Sequence, residues 1–156
     1  MSRAKANERF SSAASLLGLE PDITRFPEDT RTAAQAAAAL RCELGQIIKS
    51  LIFVSGEEAV LALTAGDRQV NTQVLADLTG GKIEKADAET VRRATGFAIG
   101  GVPPFGHSSR LLCFIDPSIY RYEVAWGAAG TPDTVFSLPT DQLAVLSGGQ
   151  IREFSE

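Results

Sequence analysis

Apolar residues recur along this chain at two spacings. Over residues 3–17, Phe10, Ala13, Ala14 and Leu17 fit the 3.6-residue period of a helix, and Gly18 supplies a stop. Residues 23–26 read as a short strand ended by Pro27. Thr32 is placed to cap an alanine-rich helix that runs to about Glu43 and stops at Gly45. Two apolar runs follow, residues 47–54, broken by Lys49 and Ser50, and residues 59–65. Ser55-Gly56-Glu57-Glu58 between them reads as a hairpin turn.

The second half alternates more irregularly. Asn71 caps a helix through Leu78 that Gly80-Gly81 closes, and residues 82–85 form a short strand. A helix from Asp87 or Ala88 runs through Ala94, with Gly96 at its end. Residues 97–99 lead into Gly100-Gly101-Val102-Pro103-Pro104-Phe105-Gly106. Residues 111–115 are a buried strand, and Asp116-Pro117 starts a turn. Residues 123–126 and 134–138 are further strands around a loop at residues 127–132. Thr140 caps a last helix to about Leu146, and residues 151–154 form a final strand. About five helices and seven or eight short strands, without a regular strand–helix–strand order, predict an α+β fold with a mixed, curved sheet.

Composition narrows this picture. The 156 residues, 44% of them apolar, suffice for one domain spanning 1–156 with a core that needs no disulfide or metal. The formal net charge of -4 argues against coating nucleic acid or an anionic membrane through bulk charge. Cys42 and Cys113 lie far apart and read as two buried thiols in a reducing compartment. With a single histidine and no cysteine cluster, no metal site and no cofactor is expected. The charged N-terminus lacks a signal-peptide core, and no apolar run is long enough to span a bilayer. The expectation is a soluble, cytoplasmic protein with no membrane partner.

Chemistry concentrates in few places. Lys49 alone among the four lysines sits inside an apolar run. Its stem can pack on the core while the head reaches water, or its ammonium can face a cleft and hold a phosphate, a carboxylate or a developing oxyanion. Residues 100–106 fix an unusual backbone path, either as a rigid turn or as a pocket wall that Gly100 and Gly101 let a ligand approach closely. They lack the Gly-Lys-Ser/Thr ending of a phosphate loop. Gly127 to Gly130, beside Trp126, reads most simply as a tight loop. His107 reads as a surface or structural residue with no nucleophile to serve, and Arg92-Arg93 as a solvated helical face. No pair of carboxylates is marked as acid and base.

In sequence order, Gln46-Ile47-Ile48-Lys49-Ser50-Leu51-Ile52-Phe53, Leu61 with Thr64-Ala65-Gly66-Asp67-Arg68, Gly100 to Gly106, the Gly130 loop and Leu138-Pro139-Thr140-Asp141-Gln142-Leu143 resemble the YbaK/prolyl-tRNA synthetase-associated domain family. The resemblance runs from about Thr30 to Gly148. It implies an α+β domain with a curved, partly barrel-like mixed sheet, and hydrolysis of the ester between a wrong amino acid and the terminal adenosine of a tRNA. Lys49 matches the family's functional lysine. Gly100 to Pro104 matches its Gly-x-x-x-P loop bordering the amino-acid pocket, Gly101 a second glycine of many members, and Ala128 to Gly130 a segment lining the other side. Ser50, Gly100, Gly101, Val102, Pro104, Ala128 and Gly130 are thereby implied to bind substrate and Lys49 to act in catalysis. The cysteinyl-editing branch has serine near Ala128 and the alanyl-editing branch asparagine at Ser50, which leaves the amino acid unassigned beyond a small one.

The mechanism so implied has Lys49 hold the terminal nucleotide or the carbonyl, while backbone at Gly100 and Gly101 fixes the aminoacyl group. Pro103 and Pro104 stiffen a wall that sieves by size. A hydroxyl of the substrate's own ribose, or the amino acid itself, orients the water. Only the acceptor end of tRNA need enter, so intrinsic affinity is expected to be weak, with a synthetase or elongation factor delivering the substrate. Two competing readings are a binding module for a nucleotide or protein on the same fold, and hydrolysis of a different small ester.

Overall fold

The computed structural model describes residues 2–27 and 32–156; Thr30, where the resemblance begins, lies outside them. Ser2 opens helix α1 (Arg3–Leu16), its hydroxyl accepting from the Lys5 N–H, and the buried face carries Ala6, Phe10 and Ala14. Strand β1 (Thr24–Arg25) is shorter than the four residues expected. Helix α2 (Ala33–Leu40) starts in a capping box between Thr32 and Gln35. It stops before Glu43 because Arg41 turns left-handed at φ 56°, and a 3₁₀ turn (Leu44–Gln46) replaces its last turn.

Strands β2 (Ile48–Ser55) and β3 (Glu58–Ala65) form the expected hairpin, with Gly56 at φ 64° in its two-residue turn. Helix α3 (Thr72–Thr79), capped by Asn71, strand β4 (Glu84–Lys85) and helix α4 (Ala88–Thr95), capped by Asp87, follow. Strand β5 (Leu112–Ile115) lies parallel to β3. Strand β6 (Val124–Ala128) takes Gly127 and Ala128 out of the expected loop and pairs with β7 (Thr134–Pro139). Thr140 does not cap the last helix. Its hydroxyl donates to the Tyr122 carbonyl at 2.6 Å, and a 3₁₀ turn precedes α5 (Leu143–Ser147). Strand β8 (Gln150–Ile151) is only two residues long and ends before Phe154, which is buried.

The fold is α+β, with five α-helices among the described residues, but it has two sheets where one was expected. One runs β1-β7-β6; the other, mixed, runs β4-β2-β3-β5-β8. Among the described residues a single bridge between Ile47 and Trp126 joins them, and the sheets do not close into a barrel. β3 is central and buried on both faces, which explains its unbroken apolar run. Leu61 and Leu63 face the larger core, where Phe10, Phe105 and Phe136 meet with ring centroids 4.7–5.7 Å apart. Val60 and Ala62 face a second cluster under α3, with Phe114 and Phe154. Cys113 is buried and its thiol is pushed up to about 12 by desolvation, whereas Cys42 is only partly buried. No helix among the described residues is long and apolar enough to cross a membrane.

Candidate active site

β2 is paired with β3 along its whole length, but on its other edge β4 reaches only Phe53 and Val54. In an antiparallel ladder successive residues point their N–H and C=O groups to alternate edges. The Ile52 carbonyl accepts from the Ala86 N–H on the outer edge, so Ser50, two residues back, presents its own N–H and C=O to that edge. There β2 borders a cleft of about 630 Å³. Gly100, Val102, Ala128 and Pro132 line it as well, with Ala36 of α2 and Val91 of α4. The cleft is thus mostly apolar, with a strip of β2 backbone at Ser50 that no described strand pairs with.

Lys49 and Ser50 both line this cleft, but neighbours in a strand point to opposite faces. Ser50 lies opposite Leu63 on the face of the larger core, and its hydroxyl oxygen is buried without a hydrogen-bond partner among the described residues. Lys49 lies opposite Thr64, and its ammonium donates to the Arg68 carbonyl, outside the cleft lining. Burial pulls its pKa below the ordinary lysine range, against the opposing charges of Asp67 and Asp116. Both carboxylates are fixed in place. Asp67 accepts from Arg121 at 2.7 and 3.0 Å, and Asp116, fully buried, accepts from the Ala65 and Ser118 N–H groups.

Of the expected substrate-binding residues, Ser50, Gly100, Val102 and Ala128 meet in the cleft with Lys49; Gly101, Pro104 and Gly130 stand behind its wall. Gly100 needs its glycine for conformation, at φ 89°, since a Cβ there would meet only Pro132 at 3.7 Å. Pro104 packs on Gly127, where a Cβ would come within 2.8 Å of its ring. Gly130 (φ 108°) lies against the Ala6 carbonyl of α1. The same helix holds the β6–β7 turn through Asn7, which donates to the Ala129 carbonyl at 2.8 Å and the Thr134 hydroxyl at 2.9 Å. Arg25 links Asn7 to the buried Asp133. His107 is outside the cleft lining, with Nε2 2.7 Å from the Pro103 carbonyl. Arg93 sits on an exposed helical face near Glu89, as expected.

Sequence reasoning missed Lys85, Ile99 and the α2 wall. Ile99 is 55% exposed, and a large apolar residue beside a glycine pair was the one signal that could have flagged it. Among the described residues the cleft lining holds no histidine, cysteine or carboxylate, and no group of three metal-ligating side chains occurs anywhere.

The family model for the aminoacyl-tRNA editing domain matches residues 27–146. The chain belongs to the aminoacyl-tRNA editing domain family. It is 37% identical to the crystal structure of "a putative trans-editing enzyme for prolyl tRNA synthetase", with a TM-score of 0.94 over 99% of both chains. It is also 29% identical to the uncharacterized protein YwhH of Bacillus subtilis (strain 168), over 85% of each chain. The Proline–tRNA ligase of Desulforamulus reducens is 32% identical over 65% of this chain, which spans only 19% of that ligase. In this editing domain the cleft offers a ligand apolar walls, an edge of β2 that β4 leaves unpaired at Ser50, a buried hydroxyl with no partner among the described residues, and the backbone of Gly100 beside Pro132.

Proposed function

We propose that this editing domain acts in trans as a deacylase, hydrolysing the ester of a mischarged tRNA that carries a small amino acid. The observation that carries the reading is the free edge of β2 lining the same cleft as Gly100. An ester carbonyl at that edge can accept from the Ser50 N–H, a donor already in place when charge develops on the oxygen. A cleft of about 630 Å³ is of small-molecule size and must hold the terminal adenosine too, which leaves room for a small side chain against Val102 and Ala128. Lys49 exchanges the Arg68 carbonyl for the substrate's phosphate or ester oxygen, a move its flexible stem allows. With no base in the described lining, the substrate's ribose hydroxyl orients the water. The likeness to "a putative trans-editing enzyme for prolyl tRNA synthetase" supports mischarged proline-accepting tRNA as the substrate and that synthetase as the partner.

One observation favours a second reading, a non-catalytic nucleotide- or protein-binding module: the same described lining holds no histidine, cysteine or carboxylate. A deacylation panel separates the two. Proline-accepting tRNA charged with alanine, serine, cysteine, threonine or proline is incubated with wild type and Lys49→Ala. Hydrolysis of one or a few small-residue species, reduced at least a hundredfold in the variant, is expected. No hydrolysis of any species, with acceptor-end binding intact, establishes the binding module instead.

A further inference from the structure

The wall segment from Gly100 to Gly106 is anchored at almost every residue. Gly101 lies on Gly130, Pro104 on Gly127, and Phe105 in the aromatic centre of the core. The peptide between Pro103 and Pro104 is the exception. It has no N–H, so its carbonyl oxygen is the only polar group through which it can be held. The pyrrolidine ring fixes φ of Pro103, and the following proline confines ψ to the extended region. What remains soft is the position of ψ within that region, and this sets the angle at which Val102 enters the cleft.

Resting on the deacylase reading above, we propose that His107, the chain's single histidine, is the positioning residue that fixes this angle and with it the size limit of the amino-acid pocket. Its Nε2 lies 2.7 Å from the Pro103 carbonyl, so Nε2 carries the proton and donates. Burial pulls the His107 pKa below its ordinary value, against the smaller raising effect of the Pro103 carbonyl. Protonation of Nδ1 would leave the Nε2–H donor in place, so the bond survives acid as well as neutral pH. The residue therefore positions the wall and does not switch it. A side chain four bonds long with a donor at its end can replace it; one of the same shape without a donor cannot.

The test compares wild type with His107→Gln, which keeps a donor at a similar reach, and His107→Phe, which keeps the ring and loses the donor. Two readouts are taken: kcat and KM for deacylation of small and larger aminoacyl esters, and calorimetric Kd for non-hydrolysable alanyl- and prolyl-adenosine amides. His107→Phe is expected to lose about three- to tenfold of the discrimination between small and large side chains, the span one hydrogen bond commands. His107→Gln is expected to recover it at wild-type kcat. Nitrogen-15 shifts of wild-type His107 should report the Nε2–H tautomer. Equal discrimination in wild type and a folded His107→Phe overturns the positioning role alone. Wild type that neither hydrolyses the esters nor binds either amide overturns the deacylase reading and, with it, this one.

Discussion

Gly101 lies backbone to backbone against Gly130: a Cβ on Gly101 would come within 2.7 Å of the Gly130 carbonyl oxygen and 2.8 Å of the Thr131 α-carbon. Two segments that border the cleft thus touch where neither has a side chain. Gly101→Ala must push them apart, at a cost of about 1–3 kcal/mol by analogy with overpacked cores. Gly100→Ala strains only its own backbone, at φ 89°, by about 1–2 kcal/mol. Both variants should lose stability in urea titrations, but only Gly101→Ala should shift the amide resonances of Gly130 and Thr131. Unmoved resonances there would show that the two segments are not in register as described.

Asp133 ties the β6–β7 turn to the N-terminal elements. It is buried, yet accepts from Arg25 at 2.6 Å and from the Thr131 hydroxyl at 2.7 Å, with Arg3 at 3.3 Å. Burial alone would raise its pKa; the bonds from Thr131 and Arg25 and the charges of Arg25 and Arg3 outweigh it and hold the carboxyl below its ordinary value. A carboxyl depressed in the folded state stabilises above its unfolded pKa of about 3.9, and that stability is lost as pH falls through the folded value. Asp133→Asn should therefore flatten the acid limb of stability below about pH 4 and cost about 1–3 kcal/mol at neutral pH. Urea midpoints from pH 2 to 7 measure both. An unchanged acid limb would assign the acid sensitivity to other carboxylates.

Much of this was legible in the sequence because local chemistry agreed with the fold. Caps at Thr32 and Asn71 and the Gly56 turn sit where the pattern put them, and of the two starts read for the next helix the structure takes Ala88, with Asp87 as its cap. Lys49 and Gly100 stood out because a charge in an apolar run and a glycine–proline segment are both anomalies that demand a cause. What stayed hidden depended on distant neighbours. Nothing local says that Arg41 turns left-handed, that Thr140 spends its hydroxyl on Tyr122, or that β4 pairs with only two residues of β2. Strand parity could have separated Lys49 from Ser50. The division of the glycine segments into Gly100 at the cleft and Gly101 and Gly130 behind it needed their packing partners, α1 among them.

Lys85 is an exposed cation lining the cleft, next to Ala86, whose N–H is bonded to β2. On the deacylase reading proposed above, it is the cation to meet a phosphate of the acceptor end. Lys85→Ala should raise KM for mischarged tRNA several-fold, leave kcat unchanged, and reduce the slope of log K against log salt by about 0.7, one single-stranded phosphate contact. Deacylation at 50 and 200 mM salt reads all three. A fall in kcat with the salt slope intact would place Lys85 at the reacting group instead of the backbone.

The Ser50 hydroxyl poses the sharpest trade between stability and function in the molecule. Its oxygen is buried with no partner among the described residues, an arrangement that costs about 1–3 kcal/mol of desolvation with no bond in return. Ser50→Ala removes that cost and keeps the β2 backbone, so the free protein should be as stable as wild type or more so, by up to about 1 kcal/mol. If the hydroxyl bonds a polar group of the bound aminoacyl ester, the same change should lower kcat/KM about tenfold, and most for the ester whose group it meets. Thermal melts with and without a non-hydrolysable aminoacyl-adenosine, beside deacylation of alanyl and seryl esters, make the comparison. A variant both more stable and less active assigns Ser50 to the substrate. One that is more stable and fully active would mean the hydroxyl is idle and that the β2 backbone alone reads the ester.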